Sequence, residues 1–286
     1  MSNIAQRLFL FFVGVPALVG IILFLPSYRH GATAALIIVF SAGSGIELGQ
    51  LFKAKNIHLS TWQTGLIGAL VPSFFYFSLV MELPVARTIG IQSIALSLLV
   101  IIVLGPFALI KKERIDGALF TASAYGFSII YPGLLAGFII LIVAEPLFGA
   151  ESILSFILMT FGNDSLAWLF GNLFGKRKNL IPVSPNKSLA GFLGGLIGSI
   201  LGAITSKFLF PSVVSVNYFL ISIMGIIIGL AVIAGDLFES ALKRSAGIKD
   251  SGNLIPGRGG FLDSFDSLLF AAPIFYAASF VLGIFR

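Results

Sequence analysis

In a chain of 286 residues, 57% are hydrophobic, and about 68% once the 32 glycines are added; soluble domains counted the same way reach roughly 45–50%. Charged residues make up 10%, against about 25% in soluble proteins, and the net charge of +6 suits Lys and Arg kept at one membrane face rather than a nucleic-acid partner. With no cysteine and two histidines, His30 and His58, the chain cannot build disulfides, thiolate metal centres, iron–sulfur clusters or a histidine-rich zinc site.

Apolar runs bounded by charges or by Pro and Gly predict nine transmembrane helices, roughly at 8–26, 32–52, 64–81, 88–110, 117–144, 152–173, 189–210, 216–242 and 266–285. The first run exceeds the h-region of a signal peptide and reads as a retained span. The fifth has Pro132 in its middle and reads as one kinked helix or a broken pair, because proline removes a backbone hydrogen bond. Nine spans with a cytoplasmic N-terminus put every basic residue inside except Arg29, Arg87, Lys207 and Arg286, as the positive-inside rule asks. A broken fifth span would move the basic loops 176–187 and 243–262 outside. No repeat or linker interrupts the chain. The expected fold is all-α: a polytopic integral membrane protein of one domain, with N-terminal helices over 1–144 and a C-terminal catalytic part over 150–286. Two sequons, at Asn163 and Asn186, fall on the inner face and read as chance.

An ionisable group within an apolar helix costs several kcal/mol unless it is paired or faces water, so the 12 acids carry the most information. Glu82, Glu113, Asp116, Glu145 and Glu151 lie in loops or at span ends and read as solvated. Glu47, inside the second span, reads equally as a packed or hydrogen-bonded group and as a functional one. The other six concentrate near one face of the membrane. Asp164 interrupts an apolar helix, Asp236 and Glu239 precede Lys243 and Arg244, Asp250 follows Lys249, and Asp263 and Asp266 open the last span. On a helix 236, 239 and 243 share one face, as do 263 and 266. This pattern predicts a polar chamber near the cytoplasmic face. Carboxylates without His or Cys favour a hard cation such as Mg²⁺, with or without a second ion, and the neighbouring Lys and Arg suit phosphate. Ion pairs that merely fasten helices together are the competing reading.

The loop 245–262 is rich in glycine, and Gly259 and Gly260 flank Arg258, a backbone suited to bringing N–H groups onto phosphate oxygens. A second basic loop, 175–188, holds Lys176, Arg177, Lys178, Ser184 and Lys187; it suits anionic headgroups or a nucleotide. It is not a Walker A loop, having one residue too few between Gly171 and Gly175 and Arg177 after Lys176. Gly191, Gly194, Gly195, Gly198 and Gly202 follow small-xxx-small spacing, which predicts close helix packing.

These segments resemble the phosphatidate cytidylyltransferase (CDP-diacylglycerol synthase) family. The resemblance rests on Gly235-Asp236-Leu-Phe-Glu239, Ser240-Ala-Leu-Lys243-Arg244, Lys249-Asp250-Ser-Gly252, Ile255-Pro-Gly-Arg258-Gly-Gly260 and Asp263-Ser264-Phe-Asp266. Upstream, Asp164-Ser-Leu-Ala167, Phe174-Gly175-Lys176 and Ser184-Pro185-x-Lys187-Ser188 also fit. Together they cover about 100 residues of the C-terminal half. Arg258 stands where the family usually has His, which removes a titratable group, and Ser264 stands where it usually has Arg.

The resemblance implies that CTP and phosphatidate give CDP-diacylglycerol and pyrophosphate, at a membrane enzyme of phospholipid biosynthesis facing the cytoplasm of a bacterial inner membrane. It points to Asp236, Asp263 and Asp266 as leading metal ligands, with Asp164 and Glu239 next. Lys243, Arg244, Lys249 and Arg258 would hold the triphosphate, with Asp250, Gly259 and Gly260 in the same loop, and Ser184 and Lys187 would take the lipid phosphate or the nucleotide. Partners are the two substrates and the lipid bilayer, with a homodimer left open and no nucleic acid. A CTP-dependent polyprenol or phytol kinase and an ion-coupled transporter are the alternatives.

Overall fold

The structure is a computed structural model that describes residues 10–57, 59–82, 115–176, 181–255 and 257–283. Every regular element among them is helical: α1 (Val15–Phe24), α2 (Ser27–Ala54), α3 (Thr61–Val80), α4 (Ile115–Ser128), α5 (Leu135–Val143), α6 (Gly149–Phe174), α7 (Leu189–Leu209), α8 (Tyr218–Ala246) and α9 (Phe261–Leu282). Seven of the resulting helices are long and apolar enough to cross a membrane, α4 and α5 counting as one. The expected span at 88–110 lies outside the described residues. Of the expected first span, residues 8 and 9 lie outside the described residues; helical turns run from Leu10 to Phe24, and the chain turns at Leu25 and Pro26.

The proline in the fifth span does not break the helix. A π-helical turn, Ile129–Leu134, joins α4 to α5 and absorbs the missing proline N–H, so Gly117–Val143 runs on as one span. The buried Ser41 hydroxyl of α2 donates to the Pro132 carbonyl at 2.6 Å and to the Gly68 carbonyl of α3 at 2.8 Å, tying three helices at one point. Tyr28, Arg29 and His30 take left-handed backbone angles, and the regular part of α2 starts just after them.

The chain forms two compact units. The first comprises residues 1–144 together with 245–265, so the glycine-rich loop packs with the N-terminal helices. The second comprises 145–244 and 266–286. Within it α6 and α7 meet along the glycine stripe. A β-carbon at Gly198 would collide with the Gly162 carbonyl, and one at Gly202 with the Leu158 carbonyl. That backbone approach is what the small-xxx-small spacing predicts. Asn163, only 2% exposed and therefore no glycosylation acceptor, donates from Nδ2 to Ser199 Oγ at 2.9 Å, and Ser199 donates to the Met159 carbonyl at 3.0 Å. These bonds fix the register of α6 one residue before Asp164.

Gly198→Ala is therefore expected to destabilise the protein by about 1–3 kcal/mol, the usual cost of overpacking, read as a lower unfolding midpoint in detergent. Gly117→Ala, whose β-carbon would meet nothing within 4 Å, should leave the midpoint unchanged or raise it.

Candidate active site

In the second unit, α8 presents Asp236, Glu239 and Lys243 on one face at i, i+3 and i+7. Gly235 lets this helix approach α9: a β-carbon there would lie 2.9 Å from both the Asp266 carbonyl and the Phe270 side chain. The chains that carry Asp236 and Asp266 thus run close together, and the Phe238 and Phe270 rings, 5.0 Å apart, pack beside them.

Charges of both signs converge here. Lys187, from the loop before α7, forms an ion pair with Asp236. Lys243 pairs with Glu239 at 2.5 Å, one turn along α8, where the glutamate side chain is 1% exposed. Asp266 is buried at the start of the last span and interacts electrostatically with Asp164 of α6 and with Lys243 and Lys187. Burial pulls the Lys187 ammonium below the ordinary lysine range; Asp266 and Asp164 oppose that shift, Lys243 adds to it and Glu239 opposes it. Four pieces of chain distant in sequence therefore bring Asp164, Lys187, Asp236, Glu239, Lys243 and Asp266 into one interacting group.

Local structure explains the placement of the basic residues. Ser188 caps α7 by accepting the Gly191 N–H at 3.1 Å, and the Lys187 N–H donates to the Ser184 carbonyl in a tight turn, so Lys187 leaves the helix end at a fixed angle. Arg244 reaches the Val183 carbonyl of the same loop at 3.5 Å. Arg177 and Lys178 lie outside the described residues.

Among the described residues, no three His, Asp or Glu side chains stand close enough together to hold an ion by themselves. The donor set nevertheless fits Mg²⁺, a hard ion that takes one or two carboxylates and completes its shell with water and phosphate oxygens. The chain has no thiol to favour a softer metal.

Asp263 belongs to the first unit and has a different environment. Its Oδ2 accepts the Ser251 N–H at 2.9 Å, the Ser251 hydroxyl at 2.9 Å and the Gly260 N–H at 2.8 Å. The last of these is one arm of a capping box: Gly260 precedes the first residue of α9, and Asp263 stands at its third helical position. Gly260 has no side chain to complete the cap. Glu47 of α2 does so instead, accepting the Phe261 N–H at 2.9 Å, the Leu262 N–H at 2.8 Å and the Ser251 hydroxyl at 2.8 Å.

The expectation that Gly259 and Gly260 offer amides to phosphate meets a different arrangement. Gly260 donates to Asp263, and Gly259 donates to the Ile255 carbonyl at 3.1 Å. The glycines instead make room for carboxylates. A β-carbon at Gly252 or Gly260 would collide with the Glu47 carboxylate, and one at Gly259, where φ is +102°, would press on Asp263. Lys249, Asp250 and Arg258 are exposed on this loop, Arg258 beside the turn from Ile255 to Gly259. Glu47 and Ser251 are the residues that sequence reasoning left without a role. The available signal was an acid inside an apolar helix, but its partners lie 204 to 215 residues further on.

Comparison with known proteins agrees with the resemblance in the motifs. Residues 5–282 match the model of the Cytidylyltransferase family. A protein of Bacillus subtilis (strain 168) named phosphatidate cytidylyltransferase is 31% identical over 252 residues, covering 87% of this chain and 88% of its own. One of the same name from Staphylococcus haemolyticus (strain JCSC1435) is 31% identical over 261 residues, covering 90% and 94%. Another, from Thermotoga maritima, is 34% identical over 209 residues, covering 71% and 76%.

Lys243→Met would leave the buried Glu239 without its lysine and is expected to destabilise the protein by about 3–5 kcal/mol, as breaking a buried pair does. The double variant Glu239→Gln/Lys243→Met should recover much of that loss. Unfolding midpoints of the single and double variants in detergent check both statements.

Proposed function

The chain belongs to the Cytidylyltransferase family, and on that premise we propose that it converts CTP and phosphatidate into CDP-diacylglycerol and pyrophosphate in phospholipid biosynthesis. The observation that carries this reading is the family match over nearly the whole chain, joined to a cluster of acids and bases drawn from α6, α8, α9 and the loop before α7.

The chemistry follows from the charges of the reactants. The phosphate monoester of phosphatidate is largely ionised at neutral pH, its second pKa being about 6, so it needs no strong base to become a nucleophile. One of its oxygens forms a bond to the α-phosphorus of CTP while the bond from that phosphorus to the bridging oxygen breaks, and pyrophosphate leaves with the bond's electron pair. The barrier is the approach of one anion to another, and catalysis is mainly positioning and charge compensation. Lys187 and Lys243, with Arg244, supply positive charge at the cluster. Lys249 and Arg258 of the glycine-rich loop are further candidates for holding the triphosphate, and Ser184 lies in the turn that orients Lys187. Asp236, Asp263 and Asp266 would be the leading ligands for Mg²⁺, with Asp164 and Glu239 next. When bound, Mg²⁺ supplies neutralisation of phosphate charge and a fixed geometry for the phosphate oxygens.

The seven long apolar helices make this an integral membrane protein, and its relatives are bacterial. The distribution of Lys and Arg favours a site on the cytoplasmic side of a bacterial inner membrane, where CTP arrives from water and phosphatidate from lipid.

Purified protein in detergent is expected to release pyrophosphate and form a CDP-lipid only when CTP, phosphatidate and Mg²⁺ are all present, and chelation should abolish both products. Asp236→Asn and Asp266→Asn should each lower kcat by about two orders of magnitude or more. CDP together with a phosphorylated polyprenol would overturn the reading in favour of a lipid kinase.

A further inference from the structure

We propose that Glu47 is a positioning residue for Asp263, acting through Ser251 and the first turn of α9; this rests on the reading of Asp263 as part of the reacting site. Four observations support it. Glu47 is 3% exposed on an otherwise apolar helix, a costly place for a carboxylate unless its bonds there are complete. Both of its oxygens are engaged, one by the Phe261 N–H and the other by the Leu262 N–H and the Ser251 hydroxyl. Ser251 is the joint between the two acids: its hydroxyl lies 2.8 Å from Glu47 Oε2 and 2.9 Å from Asp263 Oδ2, and its N–H also donates to Asp263. A hydroxyl has one hydrogen, so the two carboxylates are coupled through it. Finally, the loop is shaped to this side chain as it stands, because a β-carbon at 252 or 260 would push the carboxylate out of its place.

Neighbouring packing reinforces the arrangement. Phe40, Gly43 and Glu47 lie at i, i+3 and i+7 on one face of α2. The Phe40 and Phe261 rings meet edge to face at 5.0 Å, and a β-carbon at Gly43 would collide with the Phe261 ring. Phe261 therefore enters a slot in α2 just before Glu47 takes its N–H. Asp263 Oδ2 takes bonds from both Ser251 and Gly260, and the Asp263 N–H donates back to Ser251 Oγ at 3.3 Å, so a shift of Ser251 is transmitted to the carboxylate and to its backbone.

Residue-resolved hydrogen exchange and steady-state kinetics on Glu47→Gln, Ser251→Ala and the double variant separate positioning from simple capping. In Glu47→Gln, the amides bonded to Glu47 (Phe261 and Leu262) and those bonded to Asp263 (Ser251 and Gly260) are all expected to exchange faster. Faster exchange confined to Phe261 and Leu262 would mean that Glu47 only caps α9, and would overturn the proposal. At a temperature where every variant is folded, Glu47→Gln should lower kcat on the order of tenfold to a hundredfold, the range that a small misplacement produces. The KM for CTP should change little. The double variant should be no slower than the slower single one, because both substitutions cut the same connection. Unchanged kcat, or losses that multiply in the double variant, would overturn it. If the wild-type protein forms no CDP-lipid, the functional reading fails, and the exchange pattern still decides whether Glu47 holds Asp263 in place.

Discussion

A carboxylate buried in an apolar helix must be answered by hydrogen bonds, and Glu47 finds them at the N-terminus of α9. A helix start leaves amide groups without intrahelical acceptors and carries partial positive charge, so a negative side chain there gains from both effects. The solution is mutual. Gly260 has no side chain to cap its own helix, and Glu47 lies buried within a membrane-spanning helix, so each supplies what the other lacks. The consequence is geometric: the start of the last span is fixed against α2, and Asp263 takes its orientation within that contact.

The second unit meets the same demand with ion pairs. Lys187 with Asp236 and, deeper, Lys243 with the buried Glu239 keep charge balanced, and electrostatic interactions among Lys187, Asp164 and Asp266 extend the balance. Pairing of this kind is a poor way to gain stability, because desolvation offsets most of the attraction. The glycine stripe of α7 and the Asn163–Ser199 contact supply the rigid backing that holds Asp164 at its level on α6.

Most helix positions follow from hydropathy because burial in lipid requires long uninterrupted apolar runs. The second, third, sixth, seventh and eighth expected spans overlap α2, α3, α6, α7 and α8 closely. The last was expected from 266 but begins at Phe261, since Asp263 and Ser264 interrupt the apolar run without interrupting the backbone hydrogen bonding. Pro132 left two readings open, and the choice depends on a π-turn and on a serine from another helix, neither of which hydropathy records. The same limit applies to the site. Asp236, Glu239 and Lys243 announce themselves by helical spacing, and the motif residues by their order. Glu47 does not, because its function depends on a contact across more than 200 residues. The loop glycines were visible too, but their cause was not: at 252 and 260 they accommodate a carboxylate from α2.

The paired state of the cluster also constrains how substrates can enter. As the pairs stand, a lone nucleotide drawing Lys243 away would leave the buried Glu239 carboxylate without its lysine where the dielectric is low, and one drawing Lys187 away would cost the half-buried Asp236 its ion pair. A lone cation drawing the carboxylates would strand the lysines in the same way. On the proposed reading, a nucleotide carrying Mg²⁺ would bring both signs together, with Lys187 and Lys243 holding phosphate and Asp236 and Glu239 available to the metal. The negative charge brought into the site would then be smaller than with the nucleotide alone. On the proposed reading, the ion pairs that neutralise the site therefore favour the metal–nucleotide complex over either component alone, which makes them a device for selecting the reactant as well as for tolerating burial.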